Sequence, residues 1–493
     1  MCLIYLFADV TGYAYDMLNA LGIVVLVLLW ENPFLLSYSG FVFSVMAVIA
    51  IGVGANVLLE WEHSWKRRQQ AGEENIKKTF FSRQKEGILV SFAIQLFTIP
   101  LVAYSYYEIP VYAMLINLFV LAVVNGLLGL TVLGVIVGMV FLPAGSVLFA
   151  PCGWMLDSYR FLCEVSLKIP GAQRITGKPA HMRIFWYYLG LGVFLLAIYA
   201  CARRNEKHKD GRETADLCVS RRKKRLQGIV FSCFIAFLLL FLLFPQKKSF
   251  EIDFLDVGQG DGIYLCTGGG TSMFIDGGST DVKQVGKYRI LPFLKAKGVS
   301  EISYWFVSHT DTDHVSGLKE VLVSGYRVEY LVFAKAVEKE AKTKELAELA
   351  RSHGTKVLYM QAGDTVRSKR AAMRCLYPKA SDKAEDVNDL CLVLQFEEGD
   401  IRALFGGDIS TDVEEQLSRR EKWDKVLVFK ADHHGSRYAN AEALLKCIRP
   451  EITVASVGKD NRYGHPSPDA VQRIKESGSR FFCTIEGGRI PVS

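Results

Sequence analysis

The hydropathy of this chain changes abruptly near Pro245, and that step limits the folds open to it more than any other feature. Ahead of the step the sequence is a succession of apolar runs of the length a bilayer-spanning helix needs, about 20 residues. Behind it, polar and apolar residues alternate as in a water-soluble domain. The 493 residues, half of them apolar, therefore read as two chains in series. The expectation is a polytopic α-helical membrane domain over 1–247 and a soluble domain over 248–493. Spans are expected at roughly 17–36, 38–59, 87–107, 183–201 and 227–244, with the run 110–150 crossing twice, about seven helices in all.

Charge follows the same division and sets the orientation. Seven Lys/Arg between Trp61 and Glu86 and ten between Ala202 and Arg225 mark two cytoplasmic loops. Threading the spans alternately from these loops places everything beyond the last span outside the cytoplasm. The chain thus reads as a multi-pass cell-membrane protein with an extracytoplasmic carboxy-terminal domain. The first 248 residues hold 24 Lys+Arg against 15 Asp+Glu, and the rest hold 34 against 36. The net charge of +7 is therefore a property of membrane loops, and the run Arg221–Arg225 is a topology signal, not a nucleic-acid contact. The opening segment, MCLIYLFADVTGYAYD, begins inside an apolar run with no signal-peptide n-region and reads as an amino-terminal truncation. Eleven cysteines without a CxxC pair or regular spacing read mostly as buried free thiols.

The soluble half opens with EIDFLDVGQGDGIYLCTGGGTSMFIDGG, two short strands that each run into Asp-plus-Gly turns, at Asp256–Asp261 and Asp276–Gly278. The informative segment is YWFVSHTDTDHVSGL, an apolar strand followed by His309, Asp311, Asp313 and His314 and then a helix. Without a partner these carboxylates repel one another and the imidazoles have no task; a divalent cation removes both problems. Three later segments carry further ligand types. LFGGDIS ends a strand at Asp408, a single carboxylate able to bridge two ions. VLVFKADHHGSRY ends another at Asp432, His433 and His434, and NRYGHPSPD holds His465 in a Gly–Pro loop. His353, in RSHGTKV, reads as a helix-capping residue, and no function attaches to His63, His181 or His208.

The segments FLDVGQGDG, SHTDTDHVSG, ALFGGD, ADHHGS and YGHPSP resemble the metallo-β-lactamase domain of the ComEC-type competence DNA-uptake proteins, over about residues 250–493. YAYDMLNALGIVVLVLLWENPFLLSYSGFVFSVMAV and IPGAQRITGKPAHMRIFWYYLG are similar to the membrane domain of the same family. The resemblance implies an α/β metallo-β-lactamase fold, an αββα sandwich with metal at one edge. It implies His309, Asp311, Asp313 and His314 as metal ligands, Asp408 as the bridge and His465 as completing the second site. His433 or His434 adds a ligand or a hydrogen-bond donor to substrate phosphate, with the choice open. Asp313 and His434 are assigned to catalysis, and Asn388 and Ser436 to substrate binding. Asp311 stands where most enzymes of this fold have histidine, so the oxygen-rich site implies two divalent ions, Mn²⁺ or Zn²⁺. Cys391 occupies a position usually held by serine, and Ser316 one where glycine is common.

Paired ions of this kind activate water and hold both oxygens of an in-line displacement, which suits a phosphodiester. The expected function is DNA internalisation with a metal-dependent phosphodiesterase (nuclease) domain. Single-stranded DNA, other DNA-uptake proteins and the lipid bilayer are the implied partners, and so few spans call for a homo-oligomer or a second subunit to complete a pore. Two other readings use the same residues: an anchored hydrolase of a small ester or cell-wall phosphodiester, and a DNA-binding transport subunit without catalysis. For a polyanion-binding patch the candidates are Lys283, Lys287, Arg289, Lys295 and Lys297, with a solvated face as the preferred reading.

Overall fold

A computed structural model describes residues 1–69, 80–207, 217–244, 249–369, 371–384, 386–459 and 461–493. The chain separates into two compact units, Met1–Pro245 and Gln246–Ser493. The loop segments 70–79 and 208–216, His208 among them, and the junction at 247/248 lie outside the described residues.

The first unit is helical. Among the described residues four helices are long and apolar enough to cross a membrane: Ser39–Trp65, Lys85–Tyr106, His181–Arg204 and Arg222–Leu242. The helix Met17–Glu31 is apolar but shorter. At 1.5 Å per residue it reaches about 22 Å, less than the ~30 Å hydrocarbon core. The run 110–150 is arranged differently from expectation. A first helix, Ala113–Val140, breaks at Phe141, and a second, Leu142–Leu167, carries Pro143 in its first turn and continues through Pro151. Proline at a helix start lacks only an N–H that would be unpaired anyway, so Pro143 ends one helix and begins the next. Strands β1 (Glu108–Pro110) and β2 (Gln173–Ile175) pair antiparallel.

Inside the bilayer every backbone polar group must find its partner within the protein. Pro100 sits within the helix Phe80–Tyr106 and cannot donate to the carbonyl four residues earlier, that of Leu96. The Tyr187 hydroxyl donates to this carbonyl at 2.9 Å, and the Tyr188 hydroxyl donates to Phe97 O at 2.8 Å. The motif segment around IFWYYLG thus repairs the break that Pro100 makes in a neighbouring helix.

The second unit is built of two seven-stranded sheets. The first contains β3 (Glu251–Phe254), β4 (Gly262–Cys266), β5 (Ser272–Asp276), β6 (Glu301–Phe306), β7 (Arg327–Ala334) and β8 (Lys356–Met360). The second contains β9 (Thr365–Ser368), β10 (Ala371–Tyr377), β11 (Val393–Glu398), β12 (Ile401–Phe405), β13 (Val428–Lys430), β14 (Ile452–Ala455) and β15 (Arg480–Cys483). The last strand, β16 (Ile490–Val492), returns to the first sheet and pairs antiparallel with β3. Each sheet follows one plan: antiparallel pairs as far as β5 or β12, then three parallel pairs, β5–β8 and β12–β15.

Period-two alternation sorts the strand side chains. In β12, Ala403 and Phe405 pack between the sheets and Leu404 packs outward. The central layer joins Ile252, Phe254, Ile275 and Phe306 to Met373, Phe396, Phe405 and Val428. Outside the first sheet, Phe274, Trp305 and Leu331 meet Leu318 of the helix Thr312–Val323 and Leu346 of the helix Ala341–Ser352. Outside the second sheet, Leu404 and Phe429 meet Leu417, Leu445 and Ile474 on three further helices. The result is the αββα sandwich, with the carboxyl ends of the parallel strands of both sheets available to build one site.

Candidate metal centre

Five chain segments converge. The β3–β4 turn supplies Asp261, the end of β5 supplies Asp276, and the loop after β6 supplies His309, Asp313 and His314. Asp408 follows β12, His433 and His434 follow β13, and His465 lies in the loop after β14. The β3–β4 turn reaches the centre because Gly260, at φ +150, has no Cβ; one there would strike the carbonyls of Asp313 and Gly278. The turn is then locked backbone to backbone, with Asp261 N donating to Asp313 O at 3.1 Å and Gly278 N to Asp261 O at 3.0 Å.

Asp408 is the hub. Its Oδ2 lies 3.4 Å from both His314 Nε2 and His434 Nε2, and 3.9 Å from His433 Nε2. Asp313 Oδ2 is 3.6 Å from His434 Nε2 and 3.9 Å from His314 Nε2. Asp261, His314, Asp408 and His434 each bring a donor atom within 4.8 Å of the others, and so do His309, Asp313 and His314.

Hydrogen bonds behind the rings decide which nitrogen faces inward. His434 Nδ1 donates to Ser456 O at 2.9 Å and His314 Nδ1 to Asp276 Oδ2 at 3.0 Å. Ser308 Oγ, itself 2.8 Å from Asp276 Oδ2, lies 3.1 Å from His309 Nδ1. Nδ1 of all three rings is thereby engaged and Nε2 is left for the centre; the buried Nε2 atoms of His314 and His434 have no hydrogen-bond partner. Convergent imidazole and carboxylate donors with orphaned, buried lone pairs fit a divalent cation.

The electrostatics agree. Burial disfavours charge on His314, but the Asp408 and Asp276 carboxylates outweigh it and hold the ring well above the usual histidine range. Burial likewise opposes charge on His434, and Asp408, Asp261 and Asp313 raise it to about 9. Burial alone would raise Asp313, yet His434 and His314 bring it to about 2. Protons on two imidazoles thus supply the positive charge that a metal would otherwise supply. His309, pushed down by burial and by His314, titrates near 4, and His465, pushed down by burial and by His434 and His433, also near 4. Both are neutral donors at physiological pH.

Three participants carried no signal of their own in the sequence. Asp261 and Asp276 read there only as turn residues. Lys430 is 1% exposed at the end of β13, with Nζ 2.6 Å from Asp261 Oδ2, 2.8 Å from Gly407 O and 3.5 Å from Asp408 Oδ1. A lysine closing the apolar strand VLVFK was the available hint. Other expected residues lie at a distance from the hub. Asp311 is 3.9 Å from His309 Nε2 but is half exposed and pairs with Lys342 at 2.9 Å. Ser436 is buried, its hydroxyl accepting from Tyr438 N, and Asn388 belongs to a short 3₁₀ turn whose carbonyl accepts from Cys391 N. Cys391 Sγ lies 3.4 Å from His309 Nδ1 and accepts from Asp408 N, so it occupies the wall of the site. Asp432 turns away to Glu414, where burial and the second carboxylate hold it well above the carboxylate range. His353 Nδ1 donates to Leu349 O at its helix end. In the basic segment, Arg289 pairs with Asp256, and Lys297 with Glu251 and Asp253.

Residues 1–200 match the family model described as Competence protein. The chain is 28% identical over 290 residues to ComE operon protein 3 of Bacillus subtilis, covering 56% of this chain and 37% of that protein. It is 29% identical over 249 residues to Competence protein ComA of Neisseria gonorrhoeae, covering 50% of this chain and 32% of that protein. The chain therefore spans about a third of the length of these relatives. Among solved structures it is similar to the metallo-beta-lactamase fold protein YhfI from Bacillus subtilis, at 11% identity and a TM-score of 0.34, covering 49% of this chain and 100% of that one. Over residues 1–200 the chain thus carries the Competence domain, and it is similar to the competence proteins of Bacillus subtilis and Neisseria gonorrhoeae.

Proposed function

We propose that this membrane protein acts in DNA uptake and that its second unit is a metal-dependent phosphodiesterase working on DNA outside the cytoplasm. The observation that carries the reading is the set of buried donors around Asp408 Oδ2, with the Nε2 atoms of His314 and His434 unpartnered. Two divalent ions, Mn²⁺ or Zn²⁺, suit the mixed oxygen and nitrogen set, with His309, Asp313, His314, Asp408, His434 and His465 as ligands. When bound, such ions lower the pKa of water towards neutrality and offset the charge that develops on phosphate oxygens.

The protein's own residues prepare that chemistry. Asp276 orients His314 directly and His309 through Ser308. Lys430 holds Asp261 and one oxygen of Asp408, so that Asp408 presents Oδ2 to the centre. His434 is buried and its Nδ1 is tied to a carbonyl, which suits a ligand. His433, with 34% of its side chain exposed, suits a proton or hydrogen-bond donor to the phosphate. Both histidines hold left-handed backbone, φ +50 and +56, a strain of about 1–3 kcal/mol each, and both Nε2 atoms approach Asp408 Oδ2.

The test uses full-length protein in detergent with labelled single- and double-stranded DNA and Mn²⁺, Mg²⁺, Zn²⁺ or EDTA. Metal-dependent cleavage is expected, reduced at least a thousandfold in Asp408→Ala and Asp313→Ala. Cleavage that survives either substitution, or EDTA, rules the mechanism out.

A further inference from the structure

The histidine rings around the candidate centre are not all held in the same way. His309, His314 and His434 each have Nδ1 engaged, by a serine hydroxyl, a carboxylate and a carbonyl respectively. His465 has no such brace: its Nδ1 is buried and, among the described residues, has no hydrogen-bond partner. Its ring also belongs to neither set of donors that come within 4.8 Å of one another. Where this ring stands is therefore decided by its backbone. That backbone is held by a relay. Asn461 grips His465 at both main-chain groups, with Oδ1 accepting from His465 N at 3.0 Å and Nδ2 donating to His465 O at 2.8 Å. The same Nδ2 donates to Gly458 O at 3.0 Å, and Gly458 N donates to Gln259 Oε1 at 3.2 Å. Gln259 is 2% exposed in the turn between β3 and β4, where Asp281 Oδ1 accepts from its N–H at 2.8 Å. The loop that carries His465 follows β14 of the second sheet, so Gln259 fastens it to the first. Gly458 lies flat on the turn, and a Cβ there would strike Gln259 N and Asp281 Oδ2.

A buried amide is costly unless its polar atoms are bonded, and here the acceptor of Gln259 goes to the N–H that docks the His465 loop. We propose that Gln259 and Asn461 are positioning residues for His465, and that through this ring they set the occupancy of the second of two ions. The first ion is left to the donors around Asp408. The relay does for His465 through the main chain what Asp276 does for His314 through the ring. Outer partners that fix a ligand in this way are worth about 10–100-fold in metal affinity. The inference rests on the two-ion form of the phosphodiesterase reading and deepens it by naming what governs the second ion.

The experiment is equilibrium dialysis of the whole chain in detergent against a series of free Mn²⁺ or Zn²⁺ concentrations. Bound metal is counted per chain, and a thermal melt in EDTA checks the fold of each variant. The unsubstituted protein is expected to take up two ions. Gln259→Leu removes the acceptor, and Gly458→Ala lifts the loop without removing a polar side chain. Each is expected to weaken the second ion about 10–100-fold and to leave the first unchanged. Gln259→Glu keeps an acceptor towards Gly458 N and is expected to restore the second ion. Asn461→Ala, in a half-buried loop, is expected to match Gln259→Leu and carries the test if that variant does not fold. His465→Ala should lose the second ion as well, and adding Gln259→Leu to it should cost nothing more, because the relay acts through this ring. Additive losses, or equal loss of both ions, would show a general structural role and overturn the proposal. So would a second ion that depends on His465 but ignores Gln259 and Asn461. A single ion in the unsubstituted protein sinks the two-ion reading itself. The count of ions does not depend on hydrolysis, so failure of the phosphodiesterase reading and failure of the relay are told apart.

Discussion

At the scale of single residues, the centre is organised by groups that stand behind it. Asp276 is buried behind the rings, where it fixes the tautomer of His314 at 3.0 Å and, through Ser308, the orientation of His309. Outer partners of this kind tune metal affinity by about 10–100-fold. Asp276→Asn is therefore expected to lower metal affinity by that order in calorimetric titration, with the fold retained. Protons and metal compete for the same nitrogens. His434 titrates at about 9 in the fold, against ~6.5 in an unfolded chain. Its charge thus stabilises metal-free protein fully below about pH 6.5, and that stabilisation is lost as the pH rises through 9. Thermal melts in EDTA should fall across this window while metal affinity rises, each binding event releasing protons to the buffer. A metal affinity that stays flat from pH 6.5 to 9 would contradict the assignment. His309, Asp313, His314 and Asp408 were legible in the sequence because each sits in a local cluster or at a recognisable strand end. Asp261, Asp276 and Lys430 were not, because their meaning comes from neighbours more than 30 residues away in the chain.

At the scale of elements, turns and breaks do the placing. Expectation and structure agree on the helices around residues 39–65, 85–106, 181–204 and 222–242, where apolar length is the whole signal. Over 110–150 the structure likewise has two helices, but the second starts at Leu142–Pro143 and runs on to Leu167, beyond the end of the apolar run. The interior Pro100 is tolerated because a different helix supplies the missing donor. Tyr187→Phe removes it, and in membranes such bonds are worth about 0.6 kcal/mol on average and up to about 1.7. A loss of that order is expected in a denaturant titration of the purified protein. Pro100→Ala restores the helix's own bond, so the two effects should be non-additive in a double-mutant cycle. Strict additivity would mean that the hydroxyl serves another purpose.

At the scale of the whole molecule, the second unit closes on itself through β16, which covers the edge of β3 after the chain has built the entire second sheet. An uncovered edge strand is a template for pairing between molecules. Deletion from Ile490 onward is therefore expected to promote aggregation and binding of a hydrophobic dye by the protein, while the centre, at the carboxyl ends of the parallel strands, keeps its ligands. A monodisperse, dye-silent deletion variant would show that β16 is dispensable. The sequence by itself determined the division into an apolar helical half and a water-soluble half, because hydropathy is additive along the chain and needs no partner to be read. It also determined which loops carry metal-type ligands, because four such residues within six positions have few other reasons to coexist. Tertiary structure alone decided that Asp408, Asp313 and His434 share one hub with Lys430 behind it, that Asp311 turns to Lys342, and that His433 faces solvent while His434 does not. Those outcomes depend on two sheets packing face to face and bringing together strand ends that are far apart in sequence, and on a left-handed backbone at two adjacent histidines.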